Sequence, residues 1–188
     1  KLKGIIKDFD LVLVADFGHG LMSDKIRNLV QEESTFMALN CQTNSNNYGF
    51  NVINRKYDRA DSFSLDQTEM SLACEKKKFN ASSELKRLVQ KFSAKYGWLT
   101  RGGSETIGIS IDEQPCICDS LEKIVTDTVG AGDAFCSIAS LAAVKNLPLE
   151  LSTLMGQISG AIGVRIVGNS EPVRKIKFLK SLEAILKS

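Results

Sequence analysis

Three features of this sequence predict an α/β fold: a doubly wound, mostly parallel sheet with helices on both faces. Short apolar, β-branched runs alternate with amphipathic helical patterns over the first two thirds of the chain. Glycine-rich or polar turns follow those runs, as at the carboxyl ends of strands in open α/β sheets, where ligands bind. Three helical patterns then close the chain.

The first run, Asp10-Leu11-Val12-Leu13-Val14-Ala15, reads as a strand buried on both faces, and it ends in the turn Asp16-Phe17-Gly18-His19-Gly20. Ser23 is placed to cap a helix carrying Ile26, Leu29 and Val30 on one face. Residues 35–40 form the next strand, so strand, helix and strand make a parallel unit with a right-handed crossover. Residues 41–57 are polar, and the five asparagines within 40–51 mark a long loop. Those asparagines suit either a sugar's hydroxyls or the loop's own backbone. Residues 61–65 predict a strand and 68–74 a helix, and a stronger helix spans 82–96 with Leu85, Leu88, Val89 and Phe92 on one face. Short strands follow at 97–100, 106–111 and 115–118, then helices at 133–144, 151–167 and 173–186. There is no internal repeat, and the run Lys76-Lys77-Lys78 reads as a solvated helix end.

Composition narrows the function classes. At 188 residues, 43% apolar and 24% charged, the chain is of globular type and long enough for one domain, 1–188. Lys and Arg number 24 against 22 acidic residues, too even a balance to indicate a nucleic-acid or membrane-surface partner. No apolar run approaches the roughly 18–20 residues of a membrane span. Neither an initiator Met nor a signal-peptide core is present at Lys1-Leu2-Lys3, which reads as a piece cut from a longer protein. The five cysteines form no Cys-x-x-Cys pair, and His19 is the one histidine, so a clustered zinc site is not expected. Buried thiols in a reducing cytosol are the simpler reading, and a cytoplasmic location follows.

The chemistry concentrates in Asp127-Thr128-Val129-Gly130-Ala131-Gly132-Asp133-Ala134-Phe135. Small residues let the backbone turn sharply, and the helix that follows points unsatisfied N–H groups and its positive dipole end out of the turn. That is an anion site suited to phosphate. Asp133 in the first helical turn would sit beside such a phosphate, where a carboxylate is repelled unless it has a task. Taking the proton of an attacking hydroxyl fits that position.

This segment resembles the C-terminal signature of the ribokinase/PfkB family of carbohydrate kinases. Further likenesses fall in the family's order. The Asp16–Gly20 segment resembles a turn of the heptose-phosphate kinase branch, and Asp66-Gln67-Thr68-Glu69 falls at the family's Asn-x-x-Glu. Thr100-Arg101-Gly102-Gly103 resembles the Thr-x-Gly nucleotide turn, and residues 160–168 resemble the helix and glycine beside the adenine. The resemblance covers nearly the whole chain but only the C-terminal portion of such a kinase domain, with the N-terminal strands and lid outside it. It implies ATP-dependent phosphoryl transfer to a sugar or sugar-phosphate hydroxyl. Asp133 would be the catalytic base, and Gly130, Ala131 and Gly132 the anion hole. Thr100, Gly102, Gly103, Gly168 and Asn169 would line the nucleotide. Asp66 and Glu69 would act on Mg2+ through water, Asp127 on a monovalent cation such as K+, and Asp16 would touch substrate or simply cap its turn.

Three departures bear on this. Asp66 stands for the usual Asn, His19 for the branch's Lys, and Glu105 where a glycine often closes the nucleotide turn. A nucleoside or vitamin kinase of the same superfamily, and a nucleotide-binding fragment without turnover, stay open as alternatives, as do a homodimer and a fused nucleotidylyltransferase domain outside the chain. A Walker-type ATPase is excluded because no Gly-x4-Gly-Lys-Ser/Thr occurs.

Overall fold

The computed structural model describes residues 1–122, 127 and 129–187, with Asn169 described by its backbone alone. One sheet of six strands, in the order β1-β2-β3-β4-β5-β6, organises the chain. The strands are β1 (Val12–Asp16), β2 (Met37–Cys41), β3 (Ser62–Asp66), β4 (Tyr96–Thr100), β5 (Glu105–Ser110) and β6 (Cys116–Asp119). The first four are parallel, and β5 and β6 are added antiparallel. Parallel neighbours need crossovers: α2 (Asp24–Glu33) joins β1 to β2, the long loop 42–61 joins β2 to β3, and α4 (Gln67–Cys74) with α5 (Ala81–Phe92) joins β3 to β4, whereas β4 and β5 join through a tight turn. Two four-residue helices, α1 (Leu2–Ile5) and α3 (Ile53–Lys56), are not foreseen by the sequence patterns.

The helices cover both faces, as predicted. On one, Leu39, Phe63, Leu65, Leu99 and Ile107 pack with Met70 of α4 and with Leu85, Leu88, Val89 and Phe92 of α5. Phe63 and Phe92 meet edge to face at 5.3 Å. A Cβ on Gly97 would lie 2.7 Å from both Phe63 and Val89, so the strand there must lack a side chain. The other face carries α6 (Ala131–Val144) and α7 (Leu149–Gly163), followed by α8 (Lys175–Leu186). Tyr96, Trp98 and Cys116 pack there with Phe135, Ala139, Ala143 and Leu149. The Trp98 indole N–H finds its partner in Thr153 Oγ1 at 2.9 Å, which removes the cost of burying it.

Helix α6 lies almost flush on α7 because α7 is small-faced. A Cβ at Gly156 would strike the Phe135 ring at 2.6 Å, and one at Gly163 would press on Ala131 Cα at 3.3 Å. The glycines of residues 156–163 thus fix where the N-terminus of α6 sits.

Three expectations about elements change. The helix expected to run to 167 ends at Gly163, and a separate 3-10 turn spans Val167–Asn169. Helix α5 stops at Phe92 because Ser93 turns left-handed at φ 53°, with Ser93 N–H donating to Gln90 O and Ala94 N–H to Val89 O; Tyr96 is therefore strand, not helix. Strand β1 is buried on one face only: Leu13 is 40% exposed, and β1 is the edge of the sheet. Among the described residues no helix is long and apolar enough to cross a membrane.

Candidate active site

The parallel register brings the carboxyl ends of β1 to β4 to one rim: Ala15 pairs with Asn40, Asn40 with Ser64, and Asp66 with Thr100. Helix α6 begins near that rim. Its N-cap is Gly130 at φ 80°, a conformation that costs a residue with a Cβ roughly 1–2 kcal/mol. The N–H groups of the first turn have no acceptor within the helix. Gly132 is exposed and has open space where a Cβ would stand. Gly130, Ala131, Gly132 and Asp133 are thus assembled as the sequence predicts.

Asp133 is half-buried, and its Oδ1 accepts from Asn40 Nδ2 at 2.7 Å and from Gln42 Nε2 at 2.6 Å. Burial pushes its carboxyl above the usual range, while the two amides favour the charged form and oppose that rise. Asp133 and Gly130 border an open cleft of about 570 Å³ that Ser137, Gly163, Glu171 and Pro172 also line. Gln42 as a partner of Asp133 has no signal in the sequence, and Asn40 reads there as the end of a strand and as one of the asparagines suited to sugar hydroxyls or the loop backbone, not as a partner of Asp133.

Asp16 is placed differently. It is 2% exposed, its Oδ1 accepts from Gly18 N–H at 2.9 Å, and its Oδ2 accepts from the buried Tyr57 hydroxyl at 2.8 Å. Arg27 Nη1 stands 3.9 Å from Oδ2. The carboxylate holds the turn and the core beneath it, the second of the two roles the sequence suggests. The asparagines of the following loop do likewise. Asn51 Nδ2 donates to Asp16 O and Gln42 O, Asn47 Nδ2 to Phe17 O at 2.7 Å, and Asn44 Nδ2 to Phe17 O and toward His19. They fasten the loop to the turn.

Asp66 and Glu69 form a reciprocal cap on α4. Asp66 Oδ1 accepts from Glu69 N–H at 2.7 Å, and Glu69 Oε2 from Asp66 N–H at 2.9 Å. Glu69 Oε1 also accepts from Thr43 N–H at 3.1 Å. Glu69 is 8% exposed, and burial first, then the charge of Asp66, raises its carboxyl to about 7. As to magnesium, both Glu69 oxygens already hold backbone donors, whereas Asp66 is exposed. Among the described residues no three acidic, His or Cys side chains gather to cage an ion. The donor set fits a cation kept mainly by water and substrate phosphates, reached from Asp66.

Thr100 closes β4 with its hydroxyl donating to Leu65 O at 3.3 Å, and the turn to β5 runs through Gly102 at φ 59° and exposed Gly103. Glu105 clasps that turn through Arg101 at 2.5 Å, a function a glycine could not supply. Across the site, Asp127 Oδ1 accepts from Val129 N–H at 2.9 Å and Oδ2 from Gly168 N–H at 2.8 Å. One carboxylate therefore ties the segment before α6 to the glycine at φ 59° that the resemblance puts beside the adenine. The side chain of Asn169, residues 123–126 and Thr128 lie outside the described residues. Arg165 is engaged with Glu122.

The fold is the ribokinase-like α/β fold. Phosphofructokinase-2 from Escherichia coli, in a crystal structure with potassium, superposes with a TM-score of 0.77 at 14% identity, covering 100% of this chain and 61% of that one. Ribokinase from Arabidopsis thaliana, complexed with ribose and ATP, gives 0.74 at 19% identity, covering 96% and 58%. This chain thus spans about three fifths of those kinases. No protein-family model matches the chain. Among curated proteins, porphobilinogen deaminase of Coxiella burnetii is 35% identical over 77 residues, 39% of this chain and 25% of that enzyme. That stretch is too short to place this chain with the deaminases.

Proposed function

We propose that the chain is the C-terminal, nucleotide-binding portion of an ATP-dependent carbohydrate kinase, with a sugar or sugar phosphate of heptose-phosphate type as acceptor. The observation that carries this reading is Asp133 in the first turn of a glycine-capped helix, one carboxylate oxygen held by two amides, at the rim where the parallel strands end. In the proposed reaction the acceptor O–H loses its proton to Asp133 as its oxygen bonds to the γ-phosphorus. The bond from that phosphorus to the β–γ bridging oxygen breaks, and ADP leaves with the electron pair. The first-turn N–H groups of α6 and its dipole stabilise charge on the transferred group. Asp66 would hold magnesium through water, and the ion would supply charge neutralisation at the substrate phosphates. Thr100, Gly102, Gly103 and Gly168 line the nucleotide, and Asp127 keeps the Gly168 side of that site in place or serves K+.

The chain's coverage of only 61% of a comparable kinase favours a narrower statement for the chain alone: it binds nucleotide, and turnover belongs to the whole protein. Asp133→Asn in the full-length protein tests the base. Removing a general base costs roughly 10²–10⁴-fold, so kcat should fall by that order while ATP affinity holds or tightens. A kcat near that of the parent would remove Asp133 from the chemistry.

A further inference from the structure

We infer that Asn40 and Gln42 are positioning residues for Asp133: they anchor its Oδ1 and so present Oδ2 to the acceptor hydroxyl. The inference rests on the kinase reading for the identity of the acceptor, and on geometry for the rest. Both amides donate to the same oxygen, at 2.7 and 2.6 Å, while Oδ2 has no protein partner among the described residues. A carboxylate's terminal torsion is otherwise broad, with its two oxygens interchangeable. Two donors on one oxygen remove that freedom.

The donors are themselves fixed, and not by the helix that carries Asp133. Asn40 is 5% exposed in β2, paired with Ala15 of β1 on one side and Ser64 of β3 on the other. Gln42 N–H donates to Asp16 O at 2.9 Å, and Gln42 O accepts from Asn51 Nδ2 at 3.0 Å. The next residue, Thr43, is held by Glu69. The aim of Asp133 is therefore set by the sheet across the layer boundary. Because an ionised carboxylate only accepts, both amides must turn their NH2 groups toward it. That assignment leaves Oδ1 with its lone pairs engaged and Oδ2 as the more basic oxygen. Proton transfer then goes from the acceptor O–H to Oδ2, and the Oδ1 bonds persist through it.

Carbon-13 NMR titration of the Asp133 carboxyl in this chain tests the arrangement without any need for turnover. The ionisable groups that bear on it are Glu69 of α4 and the Cys136 thiol one turn along α6. Gln42→Met and Asn40→Leu keep approximate shape and delete the donors. Each should raise the Asp133 pKa by about one, a tenfold tighter hold on the proton, with backbone amide shifts elsewhere unchanged. A folded Gln42→Met chain whose Asp133 titrates as in the parent overturns the inference. Should buried Asn40 tolerate no change, Gln42→Met at its half-buried site carries the test alone. The anchor and the base fail separately. A pKa rise together with an active Asp133→Asn enzyme would leave the anchor and remove the base, while the reverse pair of results would leave the base and remove the anchor.

Discussion

Two aspartates stand near the carboxyl-end rim of this sheet beside glycines, and they are built for opposite ends. Asp16 has both oxygens engaged and is 2% exposed; Asp133 is half-buried and has one oxygen engaged. A carboxylate whose acceptors are all taken by its own chain is a fastener. One held by a single oxygen keeps a second for an outside proton, and the fold absorbs the cost of leaving it partly desolvated. The sequence sets both beside glycines, Asp133 as the base and Asp16 as a substrate contact or a turn cap, and the hydrogen-bond inventory decides between the two roles left open for Asp16.

The largest effect that could break this contrast is at Asp16. Asp16→Ala leaves the Tyr57 hydroxyl buried without its acceptor and the Gly18 N–H without its own, while Arg27 keeps Asp24 as a countercharge. Leaving a buried donor unsatisfied costs about 1–3 kcal/mol, so urea denaturation should show a loss toward the upper end of that range. A loss below roughly 1 kcal/mol would mean that the turn does not depend on the carboxylate.

Next comes the pH dependence set by Glu69. Its carboxyl titrates near 7 when folded and near 4.5 as a free side chain, so between those values the folded chain holds more protons than the unfolded one. Stability therefore falls as pH rises from about 4.5 to about 7, at a slope of up to roughly 1.4 kcal/mol per pH unit. Asp133, raised in the same direction, adds to the slope. In Glu69→Gln the slope should flatten, measured by denaturant unfolding at several pH values. Parallel profiles for the two chains would contradict the assignment to Glu69.

Smallest is the stability change in Asp133→Asn. An asparagine oxygen still accepts from Asn40 and Gln42, and its NH2 takes the place of the open oxygen, so the midpoint should shift by no more than about 0.5 kcal/mol. A large loss would make Asp133 a fastener after all and erase the difference from Asp16.

Much of this was legible in the residues, for local reasons. Gly130-Ala131-Gly132-Asp133 announces a glycine-capped helix start because the cap is made by neighbours in sequence. The alternation of apolar runs foretells the sheet. Asp66 and Glu69 are three apart, and that spacing serves a capping box as readily as a metal motif; the sequence alone offers no means of choosing. The anchors of Asp133 are illegible for a plainer reason. Asn40 and Gln42 lie 93 and 91 positions from Asp133, and only strand order and register bring them together. Tyr57 beneath Asp16 is hidden in the same way, 41 positions away. The end of α5 is missed because Ser93, not a glycine, takes the left-handed position.

The antiparallel edge of the sheet has a bearing on how the chain assembles in time. Strands β4 and β5 join across residues 101–104, whereas β1 and β2 meet only after residues 17–36, with a whole helix between them, have been gathered in. Short closures cost less chain entropy and hairpins form in about 1–10 μs. The rim that carries Asp16 and Asn40 therefore organises after the strands that flank residues 101–104. Pulse-labelled hydrogen exchange during refolding should protect the amides of β4 and β5 ahead of those of β1, and simultaneous protection would refute that order. On the proposed function, a newly made chain would then hold the turn assigned to the nucleotide before Asp133 is aimed, so that binding would be ready before reaction.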